Sequence, residues 1–550
     1  LIRSTYGDYY DANGDANSDG IPDSDQFGFP YFRSVTDLGN REEKAKRETY
    51  RIVGGIRGQF GSASNWKYEA SVNYGQFKES TLVLGNTNLQ RYLLAIDAVR
   101  DPVSGNIVCR SKIDPSAAVA YEFAEDPDFA AARLAQDVAA CVPANLFGEG
   151  NLSQAARDYI NQDTISRGKI TQLVAGGYVS GNTAGFLELP GGPIGIAVGV
   201  EYRRETMKYR QDDLVSNGMT FYNAIPTFDP PSFEVKELYG ELRIPVLRDL
   251  PFAHELTFDV AGRLSDYKGA TGTVFAWNAG IEYAPVPDIK IRANYSRSIR
   301  APNLSDLYTP PGVNYALIDD PCAQVNIGGG SSNRAANCAA AGVPGDYNYI
   351  YTDSLQFRSG GNPGLKEEYS DSYTVGVIVQ PRFMPRFSFS ADYFDITVND
   401  VITSPGAQQI LDACYDGANL DNQFCGLFER VGAGGGPRGE APYSIREDSL
   451  RAVLLNYAKL KVRGIDAQMA YNTSLFDWGQ IQTKLNYTHV FQNDEFLFPD
   501  DPGRADQRLL ELNYPRDAFT WDVSLKRGKV TLGYQMRYIG KAVLNDYEDT

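Results

Sequence analysis

Apolar and polar residues alternate with a period of two in several segments of the chain, each about ten residues long. In the segment HELTFDVAGRL, Leu256 and Phe258 point to one side, and Thr257 and Asp259 point to the other. The same pattern recurs at 289–296, 386–393 and 519–526. Such alternation is typical of a β-strand with two different faces. The chain is therefore predicted to be all-β.

The pattern predicts about fourteen strands, and the connections between them alternate between short and long. The strands are predicted at 49–60, 66–80, 169–182, 192–210, 233–247, 254–267, 272–285, 289–301, 368–380, 386–402, 450–474, 479–493, 517–526 and 529–542. The long connections are predicted at about 80–168, 211–232, 302–367, 403–449 and 494–516. Two connections break the alternation: 268–272 is short where a long one is due, and 183–191 is of medium length.

The alternation of connection lengths distinguishes two all-β folds. Alternating faces alone fit both a soluble sandwich, whose apolar face is its core, and a membrane barrel, whose apolar face meets lipid. Only the barrel has a reason to place short turns on one rim and long loops on the other. We therefore predict a transmembrane antiparallel β-barrel with long extracellular loops over residues 49–550, preceded by a further extracellular loop at 1–48. The 35 Tyr, 27 Phe and 53 Gly are consistent with this fold.

Composition limits the function. A net charge of -17 argues against a nucleic-acid partner, which needs a basic surface. The two histidines, His254 and His489, lie far apart and are interpreted as surface or wall residues. We find no nucleophile elbow, phosphate loop or carboxylate pair, so no enzyme and no catalytic cofactor is predicted. The helical pattern at 126–140 is interpreted as an insert that caps the barrel mouth.

The six cysteines fall in three pairs, and each pair lies within one predicted long loop. The pairs are Cys109 and Cys141, Cys322 and Cys338, and Cys414 and Cys425. Disulfides within loops outside the cell are favoured, because that compartment permits them. Metal ligation is the alternative, but no C-x-x-C motif or neighbouring His accompanies the cysteines.

Four segments together resemble one family. NYSRSIRAPNLSDLY at 294–308, GNPGLKEEYSDSYTVGV at 361–377, ADYFDITVNDVI at 391–402 and KVRGIDAQMAY at 461–471 resemble, in this order, the late barrel of TonB-dependent outer-membrane receptors. Pro302 is expected to end a strand, and Gly464 is expected to mark a bulge. The other residues taken as structural markers are Arg300, Ala301, Asn303, Asn362 and Pro363.

The resemblance implies a 22-stranded barrel with an N-terminal plug in the bacterial outer membrane, of which this chain would supply about fourteen strands. We expect the plug and the last strands to lie outside this chain. The implied function is TonB-dependent active uptake of a scarce small nutrient, such as a carbohydrate, an aromatic compound or a metal chelate. The implied partners are the TonB–ExbB–ExbD energy-coupling complex, a small-molecule ligand, outer-membrane lipid and a surface lipoprotein. A passive porin is the alternative, and a surface adhesin or enzyme is a third.

The acidic stretch DANGDANSDGIPDSDQF resembles the calcium loops of EF-hand and thrombospondin type 3 repeats. In this alignment Gly20 makes the sharp turn and Gln26 replaces the usual bidentate acid. The candidate Ca²⁺ ligands are Asp15, Asn17, Asp19, Ile21, Asp23, Asp25 and Gln26. A solvated acidic loop is the alternative, since Asp, Asn and Gly also form turns.

Ligand contacts are expected on the long loops, where aromatic and acidic residues suit sugars and aromatic compounds. The candidates are Tyr308, Tyr315, Tyr347, Tyr351, Asp353 and Tyr415. Loop packing is the alternative role for each of them. The loops carry little Arg, which tilts the expectation away from anionic ferric siderophores.

Overall fold

The computed structural model describes residues 34–61, 65–221, 224–437, 439–497 and 505–544. Fourteen long strands form one sheet in which sequence neighbours are also neighbours in space, and the short strand Ala505–Gln507 adds to one of them. The strands are β1 Glu42–Phe60, β2 Trp66–Thr87, β3 Asn161–Asn182, β4 Gly195–Arg210, β5 Phe233–Leu250, β6 Ala253–Tyr267, β7 Gly272–Val286, β8 Ile289–Arg300, β9 Glu368–Val379, β10 Phe387–Thr403, β11 Leu455–Ser474, β12 Gln480–Phe496, β13 Asp517–Arg527 and β14 Val530–Ile539. Each predicted strand corresponds to one of these, so the all-β prediction is confirmed.

Several predicted boundaries are wrong, because the strands run beyond the segments that alternate in polarity. β1 begins at Glu42, so the predicted loop 1–48 is too long. β2 ends at Thr87 and β3 begins at Asn161, which shortens the predicted loop 80–168 at both ends. The extensions of β1 (EEKAKRE) and β3 (NQDTISRG) are mostly polar on both faces, and the extension of β2 carries Leu82, Val83 and Leu84 in succession rather than in alternation. Apolar alternation therefore could not reveal them.

Two strand starts differ because their first residues pair elsewhere. The predicted strand 192–210 begins at Gly195, since Gly192–Pro193 forms a small hairpin with Glu188–Leu189. The predicted strand 450–474 begins at Leu455, since Arg451–Val453 pairs in parallel with Leu355–Gly360 inside the loops.

The chain forms two compact units, of which the first contains residues 1–43 and 83–163. Its described part carries the helices Leu89–Ile96, Pro127–Ala140 and Gln154–Ile160. Its core includes Leu94, Ala95, Tyr159, Ile160 and the Cys109–Cys141 disulfide. The carboxylate of the buried Asp137 accepts hydrogen bonds from Arg91 and Gln90 at 2.8 Å each. The segment predicted to be helical thus forms a helix that packs into a disulfide-closed core.

The second unit contains most of the sheet and the loops beyond residue 164. Its short helices are Asp213–Ser216, Leu304–Tyr308, Arg334–Ala340 and Ala407–Asp416. None of the helices in the described residues is both long enough and apolar enough to cross a membrane.

The two faces of the sheet differ in chemistry. One face, here called the apolar face, carries Val200, Phe275 and Leu532, which are 55%, 52% and 66% exposed. Leu256, Phe258 and Val260 lie on the same face, as their alternation predicted. Burying such side chains is the dominant favourable term in a water-soluble fold. Their exposure fits a face that contacts lipid.

The opposite face, here called the polar face, carries a network of ion pairs across the strands. Arg243 lies 3.0 Å from Asp259 and 3.3 Å from Glu282, and Lys290 lies 3.2 Å from Glu282 and 2.9 Å from Glu255. These side chains neutralise one another on the polar face. Along each strand, residues of the polar face alternate with residues of the apolar face.

Gly376 on β9 lets two charged side chains meet across the strand between them. Arg292 on β8 and Asp392 on β10 both lie opposite Gly376, and they form two hydrogen bonds of 2.7 Å. A Cβ atom at position 376 would lie 1.9 Å from Oδ1 of Asp392. The glycine is therefore required for this bidentate pair.

We expect Gly376→Ala to lower the free energy of unfolding by about 1–3 kcal/mol, because the added methyl group must displace the Asp392 carboxylate. Denaturant titration in lipid vesicles, followed by tryptophan fluorescence, measures the change. Gly533→Ala on β14 is the matched control, since no atom lies within 4 Å of a Cβ there. Equal stabilities of the two variants would contradict the prediction.

Candidate functional site

Three of the four recognised segments meet at the loop end of β8, β9 and β10. Arg300 donates hydrogen bonds of 2.8 and 2.5 Å to the two carboxylate oxygens of Glu368. Glu368 is buried and also accepts a hydrogen bond of 2.7 Å from the Ile402 backbone amide. One carboxylate thus joins the ends of three strands, each from a different recognised segment.

The chain after Pro302 turns away from the sheet through a short helix. The Asn303 side chain accepts hydrogen bonds from the amides of Ser305 and Asp306, and Asp306 bonds back to the Asn303 amide at 3.0 Å. This reciprocal capping box starts the helix Leu304–Tyr308. Asp306 also lies 3.1 Å from Arg300, so the cap and the strand ends share one cation.

Asn362 and Gly464, two further residues of the recognised segments, lie in a turn and at a register shift. The Asn362 side chain donates to the Leu454 carbonyl and accepts from the Gly364 amide, both at 2.9 Å, in the turn that contains Pro363. At Gly464 the register between β11 and β12 shifts by one residue, and the extra residue lies on β12. A Cβ at Gly464 would lie 2.5 Å from the His489 carbonyl oxygen. These residues thus shape a turn and a bulge.

The loops at 301–367 and 404–454 build a core of their own, here called the loop core. Its buried residues include Leu355, Ile410, Leu411 and Leu450. The disulfides Cys322–Cys338 and Cys414–Cys425 close it. With Cys109–Cys141, the structure has the three disulfides that the sequence predicts, and no free cysteine.

A buried ion pair lies within the loop core. Arg430 donates hydrogen bonds of 2.8 and 2.6 Å to the two oxygens of Asp320, which is 1% exposed. Arg430 also donates to the Tyr415 hydroxyl at 2.6 Å and to the Tyr443 carbonyl at 2.7 Å. Tyr347 donates to Asp320 at 2.9 Å. Each charge therefore has several partners, which is what a buried ion pair requires.

Burial changes the titration of these groups. Burial works against the charged form of Arg430, but the hydrogen bond and the charge of Asp320 outweigh it and raise the pKa of Arg430. For Tyr415, burial itself raises the pKa. Burial and the neighbouring Asp320 charge both raise the pKa of Tyr347. Arginine stays charged and tyrosine stays neutral throughout the physiological pH range.

A second buried cation joins two loop helices. Arg334 on the helix Arg334–Ala340 lies 2.7 Å from Asp412 and 2.7 Å from Asp416, both on the helix Ala407–Asp416. Since each helix carries one half of a different disulfide, this cation connects the two disulfide-closed loops.

The six candidate ligand residues have different surroundings. Tyr347 and Tyr415 are buried in the loop core, and the Tyr351 hydroxyl accepts a hydrogen bond from the Ile445 amide at 2.7 Å. Tyr308 packs on the small cluster of Leu307, Leu365 and Ile402. Tyr315, which is 57% exposed, and the exposed Asp353 face solvent. Four of the six therefore pack within loops in this structure.

Sequence reasoning missed Asp320, Arg430 and Arg334. Asp320 and Arg430 are 110 residues apart and belong to different loops, so no spacing connects them. Glu368 lies in a recognised segment and was not singled out. Its flanking acid Glu367 is chemically identical, so only the fold distinguishes the two.

The candidate calcium ligands from Asp15 to Gln26 lie outside the described residues. Within the described ranges, no group of three or more His, Cys, Asp or Glu side chains could hold a metal ion.

An antiparallel meander with an exposed apolar face, a charged opposite face and large loops defines a membrane-spanning β-barrel wall. The family model for the TonB dependent receptor-like beta-barrel matches residues 2–550. The chain belongs to this family, and it is a protein of the bacterial outer membrane.

Three solved structures with a similar fold align with most of this chain. The chain spans about half of the length of each of them. A ferric enterobactin receptor variant from Pseudomonas aeruginosa is 14% identical, with a TM-score of 0.47, over 90% of this chain and 50% of that one. The siderophore receptor PirA from Acinetobacter baumannii is 11% identical, with a TM-score of 0.46, over 91% and 52%. The RagAB peptide transporter is 8% identical, with a TM-score of 0.48, over 92% and 48%. No curated protein matches the chain.

We expect Arg430→Met to destabilise the loop core by about 3–5 kcal/mol, because it leaves the Asp320 carboxylate buried without its cation. Native-state hydrogen exchange of the amides in 318–324 and 407–416 measures this local stability. Arg446→Met is the matched control, since Arg446 pairs with Glu429 at the surface and its loss should cost at most about 1 kcal/mol. Unchanged protection in Arg430→Met would show that the ion pair does not hold the loop core together.

Proposed function

We propose that the full-length protein takes up a scarce small nutrient across the outer membrane by TonB-dependent active transport. The observation that carries the proposal is the match of the family model over nearly the whole chain. In this mechanism the long loops capture the ligand outside the cell, and the ligand then passes through the barrel. No bond of the ligand is made or broken.

The size and the internal cores of the loops support the proposal that they capture the ligand. The first compact unit and the loop core each have a hydrophobic core and at least one disulfide. A rigid loop surface binds with a smaller loss of conformational entropy than a flexible one. Tyr315 and Asp353 are the predicted ligand residues that are exposed, and we propose them as contacts for a carbohydrate or aromatic ligand.

The chemistry of the polar face supports the proposed passage of the ligand through the barrel. It presents charged and polar side chains, such as Arg243, Asp259 and Lys290, which tolerate water in the barrel interior. The energy source under this proposal is the TonB–ExbB–ExbD complex. A surface lipoprotein is a further proposed partner.

We expect cells that produce the full-length protein to accumulate a labelled nutrient only while the inner membrane is energised. The probes are a ferric chelate, vitamin B12, an oligosaccharide and an aromatic acid, each offered at a submicromolar concentration. Uptake of one probe should disappear when the receptor gene or the TonB gene is deleted and when a protonophore is added.

Uptake that survives the protonophore would indicate a passive porin instead, and the protein would then conduct ions in planar bilayers.

If uptake is active, Tyr315→Ala should weaken binding of the transported probe by about tenfold, since one lost aromatic contact is worth roughly 1 kcal/mol or more. Phe383→Ala is the matched control, because Phe383, which is 90% exposed, is also an exposed aromatic residue but lies in the short turn between β9 and β10. Equal binding of both variants would remove Tyr315 from the site.

We also propose that the loop around Asp15, Asn17, Asp19, Ile21 and Asp23 binds Ca²⁺ outside the cell. The support is the spacing of oxygen ligands around Gly20. Calorimetry on the intact protein should detect binding at millimolar Ca²⁺ or below, and Asp19→Ala should abolish it. Asp11→Ala, just outside the aligned loop, should leave it unchanged. The proposal fails if the intact protein binds no Ca²⁺.

A further inference from the structure

Two pairs of like charges lie directly opposite each other on β3 and β4. The register is continuous from Asn182 and Gly195 onward, and it places Lys169 opposite Lys208 and Arg167 opposite Arg210. Like charges in directly opposed positions of an antiparallel pair destabilise the sheet. Two such pairs in succession need a compensating anion.

Within the described residues, an acidic side chain compensates one of these four cations. Lys208 contacts Asp229. For Arg167, Lys169 and Arg210, no acidic side chain within the described part of the chain lies at ion-pair distance, and Arg167, Lys169 and Arg210 are exposed. In a protein with a net charge of -17, a group of uncompensated cations is unexpected on compositional grounds. The three residues are here called the basic patch.

The basic patch lies on the apolar face. Along β4 this face carries Val198, Val200, Tyr202 and Arg204, and the same alternation continues through Thr206 to Lys208 and Arg210. Arg204 pairs with Glu234 at 3.7 Å, and the Thr171 and Thr206 hydroxyls form a hydrogen bond in the next row. Apart from the Arg204–Glu234 ion pair, the lipid-facing surface thus changes from apolar to neutral polar to basic.

The level of this change matches the thickness of a membrane. The stretch from Ile196 to Thr206 rises by roughly 25 Å along the membrane normal, at about 3.3 Å per residue and a strand tilt of about 40°. This equals the height of the apolar band of outer-membrane barrels, about 25 Å. The basic patch therefore lies at the level of the lipid head groups, on the side of the long loops.

Several other cations on the apolar face lie opposite acids. Arg297 pairs with Asp371 at 2.7 Å. Arg463 lies opposite Asp395, and Lys461 lies opposite Asp494. The absence of such acids on β3 and β4 is thus a local feature.

We propose that the basic patch binds the phosphate groups of anionic lipids in the leaflet on the side of the long loops. Phosphate oxygens between the two strands would separate the opposed cations and accept their hydrogen bonds, as Arg and Lys commonly do with phosphates. The adjoining apolar rows of β3 and β4 would contact the acyl chains of the same lipid. The partner is therefore a lipid with both a phosphate and a hydrocarbon part.

The test is a lipid titration of the purified full-length protein in neutral detergent, with bound lipids counted by native mass spectrometry. The probes are dioleoyl phosphatidic acid, dioleoyl phosphatidylcholine and, as a competitor, inorganic phosphate. The wild type should prefer phosphatidic acid. The triple variant Arg167→Gln, Lys169→Gln, Arg210→Gln should bind it roughly 100-fold more weakly, since each cation near an anionic lipid contributes about fivefold.

The matched control is the triple variant Lys526→Gln, Arg527→Gln, Lys529→Gln. It removes the same charge from exposed positions at the short-turn end of β13 and β14, and it should keep the wild-type affinity. A second variant, Arg210→Glu, turns the Arg167–Arg210 pair into an ion pair. It should unfold at higher denaturant concentration than the wild type and still bind phosphatidic acid more weakly.

Three results would overturn the proposal. The first is an equal affinity of the wild type and Arg210→Glu for phosphatidic acid. The second is an equal affinity of the wild type for phosphatidylcholine and phosphatidic acid. The third is displacement of bound phosphatidic acid by inorganic phosphate at equimolar concentration, which would assign the basic patch to a soluble anion.

Discussion

Hydrocarbon offers no partner for a backbone N–H or C=O group, so a chain in a membrane must pair all of them internally. The antiparallel pairing of successive strands in this sheet satisfies that constraint. Its consequence is a wall only one layer thick, with side chains alternating between lipid and interior. Apolar residues such as Val200 and Phe275 are then exposed on one face, and charged residues must share the other or leave the sheet.

The charged face depends on small residues as much as on charges. A one-layer wall leaves no depth in which a long side chain can be buried, so the side chains lie flat across neighbouring strands. Gly376 gives Arg292 and Asp392 the room to meet, and Gly199, opposite both Tyr178 and Tyr239, leaves room for the Tyr239 ring in the same way. Glycine, which weakens a strand by its flexibility, is here required by its lack of a side chain.

The strands could be predicted from sequence because the membrane imposes a simple pattern on them. Alternation over about ten residues and the rhythm of short and long connections identified all fourteen strands of the main sheet. The strand parts beyond the apolar rows, such as 42–48 and 161–168, lack that pattern and were predicted as loops. The loop core was beyond such reasoning. Its central pair, Asp320 and Arg430, depends on the approach of two loops, which neither composition nor periodicity encodes.

Tyr347 and Tyr415 illustrate the same limit. Loop tyrosines suit sugar binding, yet here they surround Arg430, and their hydroxyl groups are used within the loops. The residue type indicated aromatic packing and hydrogen bonding correctly, but only the fold shows which partner each group has.

The self-contained cores of the loops have an evolutionary consequence. Because the first compact unit and the loop core each carry their own hydrophobic cluster and disulfides, changes in their outer surfaces need not disturb the wall. Phages and antibodies recognise such outer surfaces, and escape from them requires substitutions there. A receptor built in this way can diversify its exposed epitopes rapidly while its lipid-facing strands remain under the strict selection of the bilayer.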